Sequence, residues 1–327
     1  MTKLNKTILV AGGAGYIGSH MVSLLIEQGY SVVVIDDLST GHKDAVSSAE
    51  FIEGNIGDSE LLDSVFARFK IDGVIDFAAS IQVGESVEDP ASYYRNNFIN
   101  TVGLLDCMIK HDVKNFIFSS TAAVFGEPQY LPVDEEHPKL QLNPYGRTKW
   151  MVEQVLQDYN SAYGLKSVAL RYFNAAGADP AGRLGPRYPK LTHLILLVLE
   201  VARGVSDHLE IFGDDYDTTD GTCVRDFVHV SDLCTAHLLA LERLLKGEET
   251  SPAYNLGSGQ GYSVKQVIET ARKVTGHAIP VEIKGRREGD PAMLVANSLL
   301  AQKELGWEPK YMDLEVLLGH TWKFVNV

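Results

Sequence analysis

Tyr145 and Lys149, in the run Asn143-Pro144-Tyr145-Gly146-Arg147-Thr148-Lys149, have the residue types and the spacing for proton transfer. Asn at an N-cap followed by Pro at the first helical position marks the start of a helix. Tyr145 and Lys149 then lie one turn apart on the same face. A free phenol titrates near about 10 and is a poor base at neutral pH. An ammonium one turn away favours the phenolate, which makes Tyr145 a proton acceptor for a substrate hydroxyl. Tyr-x-x-x-Lys also arises by chance as two surface residues, so the pair needs support from elsewhere in the chain. Ser119-Ser120-Thr121 ends the strand-like run NFIFS and adds hydroxyls. Strand C-terminal ends face the ligand crevice of a doubly wound sheet. A hydroxyl there either hydrogen-bonds a reacting oxygen or caps a turn.

The support comes from residues 12–18, Gly-Gly-Ala-Gly-Tyr-Ile-Gly, which follow a strand-like run and open a helical one. Glycines permit a tight turn and let the backbone approach a pyrophosphate. The helix N-terminus offers free N–H groups and a positive dipole end. An acid after the second strand completes the dinucleotide fingerprint. That acid is Asp36, closing SVVVID, with Asp37 beside it. A carboxylate there accepts both ribose hydroxyls and repels a 2′-phosphate, so NAD is expected rather than NADP. A cationic nicotinamide near Tyr145 would favour its phenolate further.

These residues need a scaffold, and the chain supplies one. Residues 7–11, 31–36, 73–78, 115–119 and 167–171 read as buried parallel strands, because their apolar runs are continuous rather than alternating. Amphipathic stretches at 18–28, 58–70, 91–111 and 144–163 lie between them. The alternation predicts an α/β fold with a Rossmann-like, doubly wound parallel sheet. The Gly- and Pro-rich segment 178–189 is a loop, and the pattern becomes irregular after it. The expected division is an NAD-binding domain over residues 1–180 and a smaller mixed α/β substrate domain over 181–327, with late segments free to cross back to the first sheet.

The 327 residues carry 29 Lys plus Arg against 43 Asp plus Glu, a formal charge of −14. So acidic a surface argues against general binding of nucleic acid or anionic membrane. A few local arginines can still make a small-anion pocket. Cys107, Cys223 and Cys234 form no Cys-x-x-Cys pair, which suggests a reducing, cytoplasmic setting. The N-terminus shows no signal-peptide core, and the longest apolar run, Leu194 to Leu199, is far short of a membrane span. No His/Cys cluster has zinc spacing, and Asp214-Asp215-Tyr216-Asp217 lacks the features of a calcium loop. No metal is expected.

Together, GGAGYIG, SSTAAVFG, YGRTK and RYFNAAGA resemble the extended short-chain dehydrogenase/reductase family. GESVEDP, NFIFSST, DDYDTTDGTCVRDFVHV, YNLGSG and GRREGDP narrow the resemblance to its UDP-galactose 4-epimerases, over roughly residues 7 to 322. The resemblance implies interconversion of UDP-galactose and UDP-glucose by a homodimer built on helices near 91–111 and 144–163. Tyr145 would take the proton of the sugar 4-OH while NAD takes the C4 hydride. Thr121 would assist, and Lys149 would tune Tyr145 and hold the nicotinamide ribose. The 4-keto sugar would swing over and receive the hydride on its other face. Gly12, Gly15, Tyr16, Ile17 and Gly18 would line the pyrophosphate. Asp36, Asp37 and Leu38 would hold the adenosine ribose, with Asn55 and Ile56 at the adenine. Phe77, Ala78, Asn96 and Tyr172 would flank the nicotinamide half. Asn174, His193, Leu194, Phe212, Arg225, Arg287 and Asp290 would hold the UDP-sugar, the arginines meeting the diphosphate.

Three positions depart from the family pattern. Asn55 replaces a frequent Asp, Ile81 a lysine found in some epimerases, and Phe125 a frequent Tyr. The Asn55 amide oxygen is expected to accept from the adenine amino group. Leu294 falls where side-chain size is associated with access for N-acetylated sugars, and it either widens that pocket or merely packs its wall. A 4,6-dehydratase needs acids directly after the active-site Thr, and Ala122-Ala123 stand there instead. A non-catalytic dinucleotide sensor would need no base. An exposed ion pair is the default for Arg225 and Arg287 taken singly, and a satisfied core histidine the default for His193.

Overall fold

The computed structural model describes residues 6–250, 252–287 and 289–326. The reading of the extreme N-terminus and Glu288 of GRREGDP fall outside them. All five expected strands form, as β1 (Thr7–Ala11), β2 (Ser31–Asp36), β4 (Ile71–Asp76), β5 (Asn115–Thr121) and β6 (Lys166–Tyr172). A further strand, β3 (Glu50–Glu53), carries no legible pattern, because EFIE is four residues with an acid at each end. The second half adds β7 (Asn174–Ala176), β8 (Leu209–Phe212), β9 (Val224–His229), β10 (Ala253–Leu256), β11 (Gly261–Ser263), β12 (Val281–Lys284) and β13 (Met293–Leu294).

Seven strands make one parallel sheet in the order β10-β6-β5-β4-β1-β2-β3. Successive side chains of a strand face opposite ways, and both faces here are covered. Ile8 and Val10 of β1, with Val32 and Val34 of β2, join one apolar layer with the helices Tyr16–Glu27 and Val230–Lys246. Leu9, Ala11, Val33 and Ile35 join the other, with the helices Ser59–Arg68, Asn100–Lys110 and Pro144–Tyr163. The strand order reverses about β1, so the crevice opens beyond the C-terminal ends of β1 and β4. Residues 230–256 return to this sheet. Tyr254 of β10 pairs in register with Leu170 of β6, an example of the crossing back that the sequence left open.

The remaining elements gather around β9, which pairs with β7, β11 and β13. The helices Leu194–Ala202, Val264–Thr275 and Leu314–Val325 pack with β8 and β9 into a third apolar cluster. The stretch 91–111 is not one regular helix. A π-helical segment, Tyr94–Ile99, separates Pro90–Tyr93 from Asn100–Lys110. Such widened turns concentrate at functional sites, and this one sets Asn96 and Asn97 against Ser80. Among the described residues, no helix is long and apolar enough to cross a membrane.

Candidate active site

Each glycine of the first loop does a different job. Gly12 has φ +68°, and a Cβ there would sit 2.6 Å from the Ala78 backbone nitrogen. A Cβ on Gly18 would lie 2.3 Å from the Gly12 carbonyl oxygen, and one on Gly13 would press on Val34. Gly12, Gly13 and Gly18 therefore close the turn against strand and helix. Gly15 is the open position, its nearest neighbour being the Gly12 oxygen at 3.3 Å. It N-caps the helix Tyr16–Glu27 with no side-chain hydrogen bond and no acid in the first turn. The uncapped N–H groups are what a pyrophosphate would take. The Tyr16 hydroxyl donates to the Gly177 carbonyl at 2.6 Å, and Ile17 packs into the first apolar layer.

Asp36 ends β2 almost buried. Its carboxylate accepts from Ala14 N–H at 2.9 Å and Leu38 N–H at 2.8 Å, so it orders the glycine loop as well as facing the ribose position. Burial pushes its carboxyl up, while those two N–H groups pull it down. Leu38 takes φ +58° to turn the chain there. Burial opposes the charge of Asp37, but Ser39 and Asn55 hold it below the ordinary range. Asn55 departs from expectation. Its amide donates to Asp37 at 2.7 Å, and its oxygen already accepts from Gly57 N–H and the Asn100 amide. Both lone pairs of that oxygen are spent on the protein, leaving none for an adenine amino group. The Ile56 side chain is buried in the second apolar layer. At the other end of the crevice, the Phe77 ring lies tilted against His237 at 4.9 Å and Tyr172 lies 6.0 Å from the same ring. Ala78 N–H is held by Asp76, and Asn96 by Ser80. The open glycine, the uncapped helix and the acid after β2 fit NAD.

The helix Pro144–Tyr163 starts as expected, with Asn143 Oδ1 accepting from Gly146 N–H at 2.9 Å and Pro144 in the first turn. A Cβ on Gly146 would lie 2.5 Å from the Ala123 oxygen, so glycine lets this helix seat against the end of β5. Tyr145, Lys149 and Thr121 are all buried there. Thr121 Oγ1 accepts from Ala123 N–H at 3.1 Å, and its hydroxyl neighbours the Tyr145 phenol. Lys149 Nζ donates to the Ser119 carbonyl at 2.8 Å and lies 4.6 Å over the Phe118 ring. Ser120 turns away to Glu153 at 2.5 Å.

The charge balance differs from the simple expectation. Burial raises the Tyr145 phenol, and neighbouring Thr121 pulls it down. Burial pulls the Lys149 ammonium down to about 8, against the pull of Asp76 and then Glu153. Asp76, unremarked in the sequence, is buried at the end of β4 and rises to about 6 by desolvation, with Lys149 opposing. The only legible sign of Asp76 was an acid inside the apolar run GVIDFA.

The residues expected to hold the UDP-sugar gather around β9. Arg225 donates to the Pro291 carbonyl at 2.8 Å and meets Asp290 at 3.4 Å, while Arg287 reaches the other Asp290 oxygen at 3.1 Å. One carboxylate thus holds two guanidiniums, leaving a net positive charge for a diphosphate. Arg287 also lies 4.6 Å over the Phe212 ring. Arg225 does not pair with its neighbour Asp226. That buried carboxylate instead takes N–H groups of Ser258, Gly259 and Ala296 and ties YNLGSG to β9. Asn174 donates to the Asp226 carbonyl. His193 precedes the helix begun by Leu194, and burial keeps its ring neutral with Nδ1 unbonded. Leu294 stands opposite Arg225 and packs against the apolar cluster that holds Ala122, Val124 and Phe125.

Tyr188 escaped the sequence reading. It stacks on His193 at 4.8 Å and meets Tyr16 edge-on at 5.9 Å. Its loop also reaches the other wall of the crevice, since Arg187 pairs with Asp44 at 2.8 Å and its carbonyl bonds His42. A Gly- and Pro-rich segment gives no sequence signal of what it docks on.

The profile of the NAD dependent epimerase/dehydratase family matches residues 8–257. The UDP-glucose 4-epimerase of Halalkalibacterium halodurans is 54% identical over 317 residues, 97% of this chain and 95% of that protein. The crystal structure of UDP-glucose 4-epimerase from Bifidobacterium longum in complex with NAD+ and UDP is 40% identical, with a TM-score of 0.93 over 98% of both chains. The UDP-Glc/GlcNAc 4-epimerase of Campylobacter jejuni is 45% identical, with a TM-score of 0.85 over 98% of this chain and 99% of that one. With an open phosphate cradle, a buried Tyr-Thr-Lys cluster and a match along nearly its whole length, the chain belongs to the NAD-dependent epimerase/dehydratase family.

Proposed function

We propose that this protein interconverts UDP-galactose and UDP-glucose by NAD-dependent epimerisation at C4, through a transient 4-keto sugar. The observation that carries this reading is the burial of Tyr145, Thr121 and Lys149 together where the helix Pro144–Tyr163 meets the end of β5, with Lys149 Nζ held by the Ser119 carbonyl. Bound NAD supplies reversible hydride acceptance at the sugar carbon. The protein's own residues do the rest. Tyr145 accepts the 4-OH proton and later returns it, with Thr121 relaying or steadying that proton. Lys149 keeps a positive charge near the phenolate. Arg225 and Arg287, gathered by Asp290, anchor the diphosphate while the sugar turns. Residues 1–180 would serve the cofactor and 181–327 the sugar nucleotide, with 230–256 bracing the first sheet.

A dehydratase is disfavoured because Ala122 and Ala123 follow Thr121 and cannot move protons. The test is product analysis with UDP-galactose. UDP-glucose should appear without stoichiometric NADH, and the purified protein should carry NAD rather than NADP by mass spectrometry. A 4-keto-6-deoxy product or steadily accumulating NADH would sink the reading. A second reading adds UDP-N-acetylhexosamines, favoured by Leu294 and by the likeness to the Campylobacter jejuni enzyme. It predicts measurable kcat/KM on acetylated substrates, reduced selectively by Leu294→Tyr. Undetectable wild-type activity on them ends that extension. We also infer a cytoplasmic homodimer with the helices Asn100–Lys110 and Pro144–Tyr163 at its interface.

A further inference from the structure

Away from the crevice, the helices Ser59–Arg68 and Asn100–Lys110 pack side by side under the second apolar layer. Cys107 and His111 are four residues apart at the end of the second helix and so share a face. Asp63 reaches them from the first helix. Asp63 Oδ1 lies 2.9 Å from His111 Nε2 and 3.8 Å from Cys107 Sγ. The three ligand atoms all fall within 4.8 Å of one another. The His111 ring is fixed by stacking on Phe66 at 5.6 Å. Lys110 Nζ engages the other Asp63 oxygen. Thiolate, imidazole and carboxylate from two packed helices form the donor set that borderline-soft cations select, with a fourth position open to water. The negative end of the second helix dipole adds to the attraction. Elsewhere, His208, Glu210 and Glu282 also cluster, but all three are exposed, Lys284 pairs with the two acids, and no thiol is present.

We propose that Asp63, Cys107 and His111 form a binding site for a thiophilic divalent cation of the zinc class, separate from the catalytic crevice. Zinc–sulfur and zinc–nitrogen bonds of about 2.3 and 2.0 Å set tetrahedral ligand atoms roughly 3.3–3.6 Å apart, so on binding Asp63 and His111 open by a few tenths of an ångström from 2.9 Å while Cys107 closes in on Asp63 from 3.8 Å. The cation replaces the Cys107 thiol proton, which leaves to solvent, and His111 binds through Nε2 as neutral imidazole, the ring proton that faced Asp63 moving from Nε2 to Nδ1. Lys110 keeps its proton, and Asp63 binds as a carboxylate. Because the thiol proton is displaced, affinity rises with pH and one proton is released per cation bound. The bound cation joins the two helices and stabilises the native state. The sequence hid the site because Asp63 lies 44 residues before Cys107, outside any local spacing rule.

The probe is cobalt(II) added to the intact, chelator-treated protein. A thiolate-to-cobalt charge-transfer band that saturates at one equivalent per chain and is bleached by zinc(II) supports the site. It should vanish in Cys107→Ser and need at least ~10-fold more cobalt in His111→Ala and in Asp63→Asn. Zinc(II) should also raise the Tm of the wild type and of Cys223→Ser, but not of His111→Ala. No band at millimolar cobalt, a band that survives Cys107→Ser, or identical titrations for wild type and the two other variants overturns the proposal.

Discussion

Tyr145 sits in surroundings that favour its neutral form, since burial raises the phenol and only Thr121 pulls the other way. Tyr145→Phe should cut turnover by roughly 10²–10⁴, the worth of a positioned base, while bound NAD by mass spectrometry stays unchanged. Near-normal turnover in that variant removes Tyr145 from the chemistry. Lys149 is expected to set the pH dependence. Its folded value of about 8 lies below the ordinary lysine value, so folding around the ammonium is costly below about pH 8. That cost fades as pH rises from there toward the unfolded value of about 10.5. Asp76, raised to about 6, runs oppositely, and its contribution to stability falls as pH rises from the ordinary carboxylate range through about 6. Turnover that needs the Lys149 ammonium should therefore decline as pH climbs through about 8. Asp76→Asn removes the larger of the two attractions that keep it charged, and should move this decline to lower pH in a kcat–pH profile. An unmoved alkaline limb would show that Asp76 does not tune Lys149.

At the scale of elements, the glycine turn separates folding from binding. Gly18→Ala puts a methyl into the Gly12 carbonyl and should cost both Tm and NAD binding. Gly15→Ala meets only the Gly12 oxygen at 3.3 Å and should fold nearly normally, yet bind NAD weakly, because its methyl occupies the open side of the cradle. Calorimetry beside NAD titration separates the two, and parallel losses in both variants would refute the distinction. This turn was legible because a strand, glycines and a helix follow one another within residues 7–27. The Tyr145 helix was legible through its cap. What escaped were contacts made by segments far apart in the chain. EFIE becomes a strand only because β2 lies beside it, Asp76 matters only beside Lys149, and Tyr188 only between Tyr16 and His193. Asn55 was expected to accept from an adenine amino group, but its oxygen is spent on Gly57 and Asn100, partners that only the folded loop defines.

For the whole molecule, the proposed homodimer has a specific surface. Ile99 is 59% exposed and Tyr163 52% exposed at the ends of the two helices assigned to the interface. Ile99→Arg should convert a dimer to monomer in light scattering with little change in secondary structure by circular dichroism. A wild type that is monomeric at micromolar concentration ends the idea. β10 has a consequence for how the chain acquires its shape during synthesis. The strand that carries Tyr172 gains its outer neighbour only when residues 253–256 have left the ribosome, some eighty residues later. The helix Val230–Lys246, which supplies Leu233, Ala236, Ala240 and Leu241 to the first apolar layer, arrives almost as late. Until then the nascent chain displays an unpaired strand edge and an uncovered apolar face, the features that invite aggregation. A fragment ending at residue 180 should therefore be recovered in inclusion bodies, and supplying residues 181–327 in trans should restore soluble protein. A soluble, NAD-binding fragment would mean that the first half needs none of the later segments to hold its sheet.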